Sequence, residues 1–174
     1  ALADDRSTLD PVVYEAYRAI QAKRRKHYHY VVTIQPTSPL LQTSSLDEAL
    51  EQMRIQPAID SMLSAKREAH LTWRCERGRF IPNYTDRVNR QYLEPFFTET
   101  GSFVICKSRL LEQESTRIGR TVQLFLLAQS EAIDINNFED WNLCEYLLKR
   151  KTILFVVTGY PQVGLGHVYR ALTL

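Results

Sequence analysis

The pattern of apolar and polar positions predicts alternating helices and strands at the start of the chain. Apolar residues recur at helical spacing over 8–26, where Asp10 is the expected N-cap and a proline lies in the first turn. Residues 28–34 are β-branched and aromatic and run into a proline-containing loop, which indicates a buried strand. A capping box of Ser45 and Glu48 is expected to open the next helix. This order is typical of an α/β fold.

The later apolar runs predict further elements of the same kind. They are a strand at 59–64, a hairpin of 71–76 with 79–82, a strand at 102–106, a short helix at 109–114, a strand at 122–128 and a helix at 138–150. Residues 83–99 follow no regular period and are expected to form a long loop. At 151–174 a new apolar run followed by glycines predicts the first strand and loop of a second α/β domain, so 1–150 is expected to be the first domain.

Composition narrows the classes of partner. The chain has 22 basic and 20 acidic residues, and a net charge of +2 is too small to predict binding to nucleic acid or to a membrane surface. No run approaches the roughly 18 apolar residues of a membrane span. Cys75, Cys106 and Cys144 are widely spaced and form no paired motif, which is typical of reduced thiols. A cytoplasmic protein is therefore expected.

The loop at 35–41 follows the first predicted strand and is the first candidate for a ligand site. Ligands of open α/β sheets gather beyond the carboxyl ends of the strands. The Gln35 amide both donates and accepts hydrogen bonds, which suits a nucleobase edge or a sugar hydroxyl, and Pro36 and Pro39 stiffen the loop. A plain structural turn that caps the strand explains the same spacing, and the residues alone leave both interpretations open.

Four segments in order resemble those of the acylneuraminate cytidylyltransferases. They read LADDRSTLDPVV, IQPTSPLLQTSSLDEAL, NRQYLEPFFTETGSFVI and SEAIDINNFEDWNLCEYLL, and the resemblance covers about residues 1–150. It implies a Rossmann-like nucleotide-diphospho-sugar transferase fold with a mixed, mostly parallel sheet. It also implies transfer of CMP from CTP to a nine-carbon acidic sugar of the sialic, legionaminic or pseudaminic type, with release of pyrophosphate.

The same resemblance implies the residues of the site. Arg90 is expected to be catalytic and to hold the acidic sugar, and its planar guanidinium is the best carboxylate partner among the side chains. The residues implied to contact substrate are Gln35, Pro36, Thr37, Ser38, Gln91, Glu99, Thr100 and Gly101. On the residues alone, Arg87 and Arg90 are equally well explained as exposed loop charges.

A metal loop is implied at 133–136. The family pattern has two aspartates separated by one residue, and here Asp134 matches while Asn136 stands in the second position. Nucleotidyl transfer needs Mg²⁺ to neutralise the triphosphate, and Mg²⁺ prefers oxygen ligands. Asp134 is therefore expected to be catalytic and to bind Mg²⁺ with help from Asn136. The loop has one negative charge fewer than the two-aspartate pattern of the family. The alternative is that Asp134 only caps the following turn.

The two ends of the chain carry separate expectations. No counterpart of the family's first strand and triphosphate loop precedes Ala1, so the first domain is expected to be N-terminally incomplete and inactive by itself. The pattern G-x-G-H-x-x-R at 164–170 resembles the opening of nucleotide-sugar hydrolases and glycosyltransferase-like proteins, with His167 as a candidate base. A strand-to-helix turn is the alternative explanation of that pattern.

Aromatic residues of the 83–99 segment suggest a partner chain. Tyr84, Tyr92, Phe96 and Phe97 suit a homodimer contact, and packing within one subunit explains them equally well. Two other functions remain open at this stage. One is a nucleotide-sugar hydrolase of a bifunctional parent protein, and the other is a non-catalytic binding or assembly module.

Overall fold

The computed structural model of this chain describes residues 8–150, which form helices and strands in alternation. The elements are α1 (Leu9–Arg24), β1 (Tyr30–Ile34), α2 (Thr43–Ile55), β2 (Ser61–Glu68), β3 (Trp73–Glu76), β4 (Arg79–Pro82), a 3₁₀ turn (Arg90–Tyr92), β5 (Phe96–Lys107), α3 (Ser108–Glu114), β6 (Val122–Leu126) and α4 (Phe138–Lys149). The chain divides into two units, Ala1–Cys144 and Glu145–Leu174. The predicted second domain at 151–174 and its His167 lie outside the described residues and stay predictions.

Four strands form one mixed sheet in the order β1-β5-β2-β6. β5 is antiparallel to both of its neighbours, β1 and β2, whereas β2 and β6 are parallel. The predicted mixed sheet is therefore confirmed. Three of its four strands point the same way, but because β5 runs between two of them, two of the three ladders are antiparallel and the sheet is not mostly parallel in its pairing. β3 and β4 form a separate antiparallel hairpin. Its turn residues Arg77 and Gly78 both have positive φ, as the predicted tight turn requires.

Alternation along β5 buries both faces of the sheet. Phe103 and Ile105 pack with Ala49 and Met53 of α2 on one face. Cys106, which points the other way, packs in a second cluster whose other buried members are Tyr17 of α1 and Leu110 and Leu111 of α3. Each fully buried large apolar side chain contributes about 1.5–3 kcal/mol through burial. Helices therefore cover both faces of the sheet, and its strand ends are left to build a site.

A β-bulge shapes the centre of the sheet. The register of β2 against β5 shifts between Leu63 and Ala65. Ser64 fills the irregularity: its hydroxyl donates to the Phe103 carbonyl oxygen (3.1 Å) and accepts from the Phe103 N–H (3.0 Å) and the Thr100 hydroxyl (2.8 Å). One donor and two acceptor sites are thereby all used. The bulge anchors the segment around Thr100 to β2.

Two predicted helix caps are wrong. The N-cap of α1 is Thr8, and Asp10 lies in the first turn, where its carboxylate pairs with Arg117 (2.5 Å). α2 begins at Thr43 without a side-chain cap, and the Ser45 hydroxyl donates to Glu131 (2.7 Å). In both cases a residue distant in sequence binds the polar side chain instead: Asp10 forms an ion pair, and the Ser45 hydroxyl donates to a carboxylate, which is a stronger acceptor than a neutral group.

Two strands are longer than predicted. β2 continues to Glu68 and β5 begins at Phe96, so the irregular segment is shorter than 83–99. The added residues pair with each other, Lys66 with Thr98 and Glu68 with Phe96. The backbone ladder between the strands extends them through a polar stretch whose composition alone does not predict a strand.

The described Cys75, Cys106 and Cys144 are all free thiols. Cys106 is fully buried, and burial raises its pKa to about 11. Within residues 8–150 no helix has the length and apolar character needed to cross a bilayer.

Candidate functional site

A cleft of about 590 Å³ lies at the carboxyl end of β2. Its walls come from the end of β2, the start of β5 and the segment between β6 and α4. Predicted site residues that line it are Arg90, Glu99, Thr100, Asp134 and Asn136. The fold thus brings the implied sugar-binding segment and the implied metal loop into one cleft, as expected for strand ends of an α/β sheet.

Gln35 and Ser38 belong to a loop that is tied to the walls of the cleft. The Gln35 N–H donates to the Ser102 carbonyl oxygen (3.1 Å), and the Ile135 N–H donates to the Thr37 carbonyl oxygen (2.8 Å). Ser38 is 4% exposed, and its hydroxyl has no hydrogen-bond partner among the described residues. Among the described residues, none of 35–38 lines the cleft itself. The loop therefore connects the two segments that do.

Gly101 provides a close approach between two predicted site residues. Its φ of +73° lies in the left-handed region that favours glycine. A Cβ built at this position would stand 3.7 Å from the Gln35 Nε2 atom. The Gln35 amide therefore lies directly beside the β5 segment that carries Glu99 and Thr100. The roles of these residues toward a substrate stay predictions.

Thr100 has a structural partner. Its hydroxyl donates to Ser64 and lies 3.1 Å from the Ser102 hydroxyl, and all three side chains are buried. This small hydroxyl cluster lies beneath the cleft, where it holds the β5 segment against β2. The Thr100 hydroxyl is thus already engaged within the protein.

The metal loop carries one unsatisfied carboxylate oxygen. The Asp134 Oδ2 atom accepts a hydrogen bond from the Asn136 Nδ2 atom (3.1 Å), whereas its Oδ1 atom is buried and has no partner among the described residues. A buried carboxylate oxygen without a partner is costly, so it requires an explanation. A cation bound beside it is one.

Asn137 and Asp140, and not Asp134, cap the N-terminus of α4. The Asn137 Oδ1 atom accepts from the Asp140 N–H (2.9 Å), and the Asp140 Oδ2 atom accepts from the N–H groups of Asn136 (3.0 Å) and Asn137 (3.2 Å). These reciprocal bonds form a capping box at the start of the helix. The alternative that Asp134 caps the turn is therefore not supported by the hydrogen bonds.

The donor set fits Mg²⁺ held largely by water and phosphate. Residues 8–150 contain no group of three or more His, Cys, Asp or Glu side chains placed to hold a metal ion. The protein therefore offers the Asp134 carboxylate and, after rotation of its amide, the Asn136 oxygen. Mg²⁺ is commonly bound by one or two such side chains while waters and substrate phosphates complete its shell.

Sequence reasoning missed the cleft residues of β2. Lys66, Arg67 and Glu68 line the cleft, together with His70 and Gln129. Glu68 accepts from the Thr98 hydroxyl (2.6 Å) and pairs with Lys66 (3.2 Å), and these two contacts hold the pKa of Glu68 below its usual range. Lys66, Arg67 and Glu68 follow the strand predicted at 59–64, and ligands of α/β sheets gather beyond the carboxyl ends of strands. This position was the available sequence signal.

A second cavity of about 440 Å³ shares lining residues with the first. Its walls are Arg67, Glu68, Ala69, Arg90, Gln91 and Leu93. The predicted substrate residue Gln91 therefore lies here and not among the lining residues of the larger cleft. Arg67, Glu68 and Arg90 border both cavities.

Comparison with known proteins agrees with the resemblance. No family model matches the chain. It is 26% identical over 136 residues to N-acylneuraminate cytidylyltransferase A of Danio rerio, covering 74% of this chain and 31% of that protein. It is 21% identical over 157 residues to the post-translational flagellin modification protein B of Campylobacter coli, covering 87% of this chain and 66% of that protein. The chain thus spans about a third and about two thirds of these relatives.

Solved structures confirm the fold. The chain superposes on 4-diphosphocytidyl-2C-methyl-D-erythritol synthase of Anaerococcus prevotii with a TM-score of 0.59 at 13% identity, covering 83% of this chain and 65% of the other. A second structure of a synthase with that name gives a TM-score of 0.58 at 15% identity, over 82% of this chain and 68% of the other. The predicted α/β fold is therefore confirmed, and this chain shares it with the two synthases.

Proposed function

We propose that this chain provides the metal-binding and sugar-binding walls of a cytidylyltransferase that transfers CMP from CTP to a nine-carbon acidic sugar. The observation that carries the proposal is the buried oxygen of Asp134, which has no hydrogen-bond partner among residues 8–150 and belongs to the same cleft as Arg90 and Glu99. The similarity to a named acylneuraminate cytidylyltransferase supports the nucleotide and the class of sugar.

The reaction is a displacement at phosphorus. The anomeric hydroxyl oxygen of the sugar bonds to the α-phosphorus of CTP, the bond from that phosphorus to the bridging oxygen breaks, and pyrophosphate leaves with the bonding electrons. The hydroxyl proton passes to solvent or to a carboxylate of the cleft. Mg²⁺ held by Asp134 and Asn136 would neutralise the phosphate charge. Catalysis of this kind depends mainly on positioning and on electrostatic stabilisation.

The charges of the cleft suit two different anionic reactants. Asp134 lies in the segment after β6, whereas Lys66, Arg67 and Arg90 come from β2 and the 3₁₀ turn. The acidic segment suits a cation that bridges to phosphate, and the arginines suit a carboxylate. Arg90 holds the sugar acid in this proposal, and Gln35 beside Gly101 recognises a hydroxyl or base edge through its amide.

Pyrophosphate release tests the proposal. CTP and Mg²⁺ are supplied with a panel of sialic, legionaminic and pseudaminic acids, using the 174-residue chain and, in parallel, the longest open reading frame that contains it. We expect release with one sugar, and a loss of more than about a hundredfold in Asp134→Asn, because a ligand of the catalytic cation is removed. Asp47→Asn, an exposed change on α2, is the matched control and should keep full activity.

Two outcomes would contradict the proposal. One is the absence of release with every sugar in both proteins, and the other is full activity of Asp134→Asn. Binding of a CMP-sugar without turnover would favour a second candidate, a non-catalytic binding module. The observation in favour of that candidate is Asn136, since a neutral amide in the metal loop weakens attraction for a cation.

A homodimer belongs to the proposal as well. The hairpin and the segment after it expose large aromatic side chains, with Phe80 at 76% and Tyr92 at 74% exposure, and aromatic residues are enriched at interfaces. Tyr84 instead packs edge-on against Trp73, with ring centroids 5.7 Å apart. Sedimentation velocity should show a dimer that Phe80→Glu dissociates and that Ile20→Glu, an exposed change on α1, leaves intact. A monomeric wild-type chain would contradict this part.

A further inference from the structure

Arg67 and Arg90 occupy the border between the two cavities. Arg67 lies near the carboxyl end of β2, where its backbone pairs with Phe97 of β5, and Arg90 opens the 3₁₀ turn. Both side chains line both cavities. Two guanidinium groups from separate elements therefore face the same region, one from a strand and one from a turn.

Glu68, the third residue that borders both cavities, is already paired. Glu68 accepts from Thr98 and forms an ion pair with Lys66, so these two charges compensate each other. Within residues 8–150 neither Arg67 nor Arg90 forms an ion pair or a side-chain hydrogen bond. Two unpaired guanidinium groups at one border repel each other, and an anion bound between them turns that repulsion into attraction.

The smaller cavity indicates which anion fits. Beside the arginines its walls are Glu68, whose charge is compensated by Lys66, and Gln91, Ala69 and Leu93. A guanidinium fork matches a carboxylate with two parallel hydrogen bonds, an amide serves hydroxyl groups, and small apolar side chains accept a methyl group. A sugar that carries a carboxylate, hydroxyls and an acyl substituent combines these features, and a free phosphate lacks the last two.

We infer that Arg67 is a second carboxylate-binding residue, which together with Arg90 makes the protein select acidic over neutral sugars. The inference rests on the proposed function, since it places the sugar acid beside the catalytic cleft. Arg67 is paired with Phe97 of β5 in the β2–β5 ladder, so its backbone position is set by the sheet. Arg90 lies on a short turn, and the strand residue therefore provides the more rigid half of the subsite.

Equilibrium binding without CTP or Mg²⁺ tests the inference separately from catalysis. The 174-residue chain is titrated with N-acetylneuraminate and with its methyl ester, which keeps the shape of the acid and lacks its charge. Arg67→Gln and Arg67→Lys are compared with Arg79→Gln, an exposed strand arginine that lines neither cavity. Unfolding curves of the variants show that each is folded. In a separate titration, CTP is added as a competing anion.

The expected result is a selective loss. Wild type and Arg79→Gln should bind the acid about tenfold or more tightly than the ester, because a charge-assisted bidentate pair is lost with the ester. Arg67→Gln should remove most of that preference and leave binding of the ester within about twofold. Arg67→Lys should retain part of the preference, since a lysine keeps the charge without the fork.

Three results for the variants would overturn the inference. They are an unchanged acid preference in Arg67→Gln, an equal loss for acid and ester, and a loss of CTP binding without a loss of acid binding, which would assign Arg67 to the nucleotide phosphates. A wild-type chain that treats acid and ester alike would also remove the subsite. Cytidylyl transfer is judged independently by pyrophosphate release, so it survives each of these results.

Discussion

Asp60 and Asp134 differ in how their carboxylates are satisfied, although each lies next to an end of the sheet. Asp60 immediately precedes β2 and is 8% exposed. Its Oδ1 atom pairs with Arg109 and lies 3.7 Å from the Lys107 ammonium, and its Oδ2 atom accepts from the Thr121 N–H (3.2 Å). Asp134 lines the cleft and has one oxygen bonded to Asn136 and one buried oxygen without a described partner.

The difference separates a structural carboxylate from a candidate functional one. Burial by itself would raise the pKa of Asp60, but the Thr121 N–H and the charges of Arg109 and Lys107 outweigh it and hold the pKa below its ordinary value. The protein supplies every partner that Asp60 needs. For one oxygen of Asp134 the described residues supply no partner, which is the expected arrangement where an external ligand completes the shell.

Asp60→Asn should have the largest effect on stability. The substitution leaves Lys107 and Arg109 without their counter-ion, and the free energy of unfolding should fall by about 2–3 kcal/mol, less than for a fully buried pair because the Arg109 side chain is half exposed. Chemical denaturation of the variant measures the change, with Asp47→Asn as the control. Equal midpoints for wild type and Asp60→Asn would show that the Asp60 ion pairs contribute nothing.

The difference in stability between wild type and Asp60→Asn should depend on pH, because the pKa of Asp60 is lowered in the folded state. A carboxylate whose pKa is lower in the folded state stabilises the protein above its unfolded pKa, and this contribution is lost as pH falls through the folded value. Wild type should therefore lose its advantage over Asp60→Asn as pH falls below about 4, the ordinary value for an aspartate. Denaturation midpoints of both proteins between about pH 6 and pH 3 measure the gap. A gap that is constant with pH would contradict the assignment.

Asn136→Asp should strengthen binding of Mg²⁺ beside Asp134. A second carboxylate beside Asp134 adds a full negative charge to the loop, and we expect the Mg²⁺ concentration for half-maximal pyrophosphate release to fall about tenfold. Without Mg²⁺ the two like charges should slightly lower the unfolding temperature. An unchanged Mg²⁺ requirement would show that position 136 does not contact the cation or its water shell.

Asp134→Asn should have the smallest effect on stability. Its Oδ1 atom accepts no hydrogen bond from the described residues, so the free energy of unfolding without Mg²⁺ should change by less than about 0.5 kcal/mol. Thermal unfolding with and without Mg²⁺ measures this, and the upward shift that Mg²⁺ gives the wild type should disappear. A loss of stability as large as that of Asp60→Asn would make Asp134 structural and remove the contrast.

Local signals were sufficient for some elements. The hairpin β3–β4 was predicted from Arg77-Gly78 between two strand-like runs, because a tight turn needs two residues with positive φ. The helix predicted at 138–150 is α4, and its acidic first turn and basic last turn match the helix dipole. Both depend on contacts between residues that are close in sequence, so no knowledge of the fold was needed.

Capping and strand length could not be predicted in this way. Ser45 has the spacing of a capping residue, yet its hydroxyl donates to Glu131, which is 86 residues away in sequence. β5 extends back to Phe96 because β2 pairs with it there. The same pairing places Arg67 near the cleft, which is why the resemblance alone pointed to Arg90 and Gln91 but not to this residue.

The sequence by itself determined the order of the elements, the fold class and the candidate metal loop around Asp134, since these depend on local periodicity and on ordered segments of the chain. Only the tertiary structure decided which polar groups meet. It placed Gln35 beside Gly101 of β5, fully paired Asp60, left an oxygen of Asp134 without a partner among residues 8–150, and brought Arg67 to the border that Arg90 shares. The physical reason is that hydrogen bonds and charge interactions depend on distance in space, which chain separation does not determine.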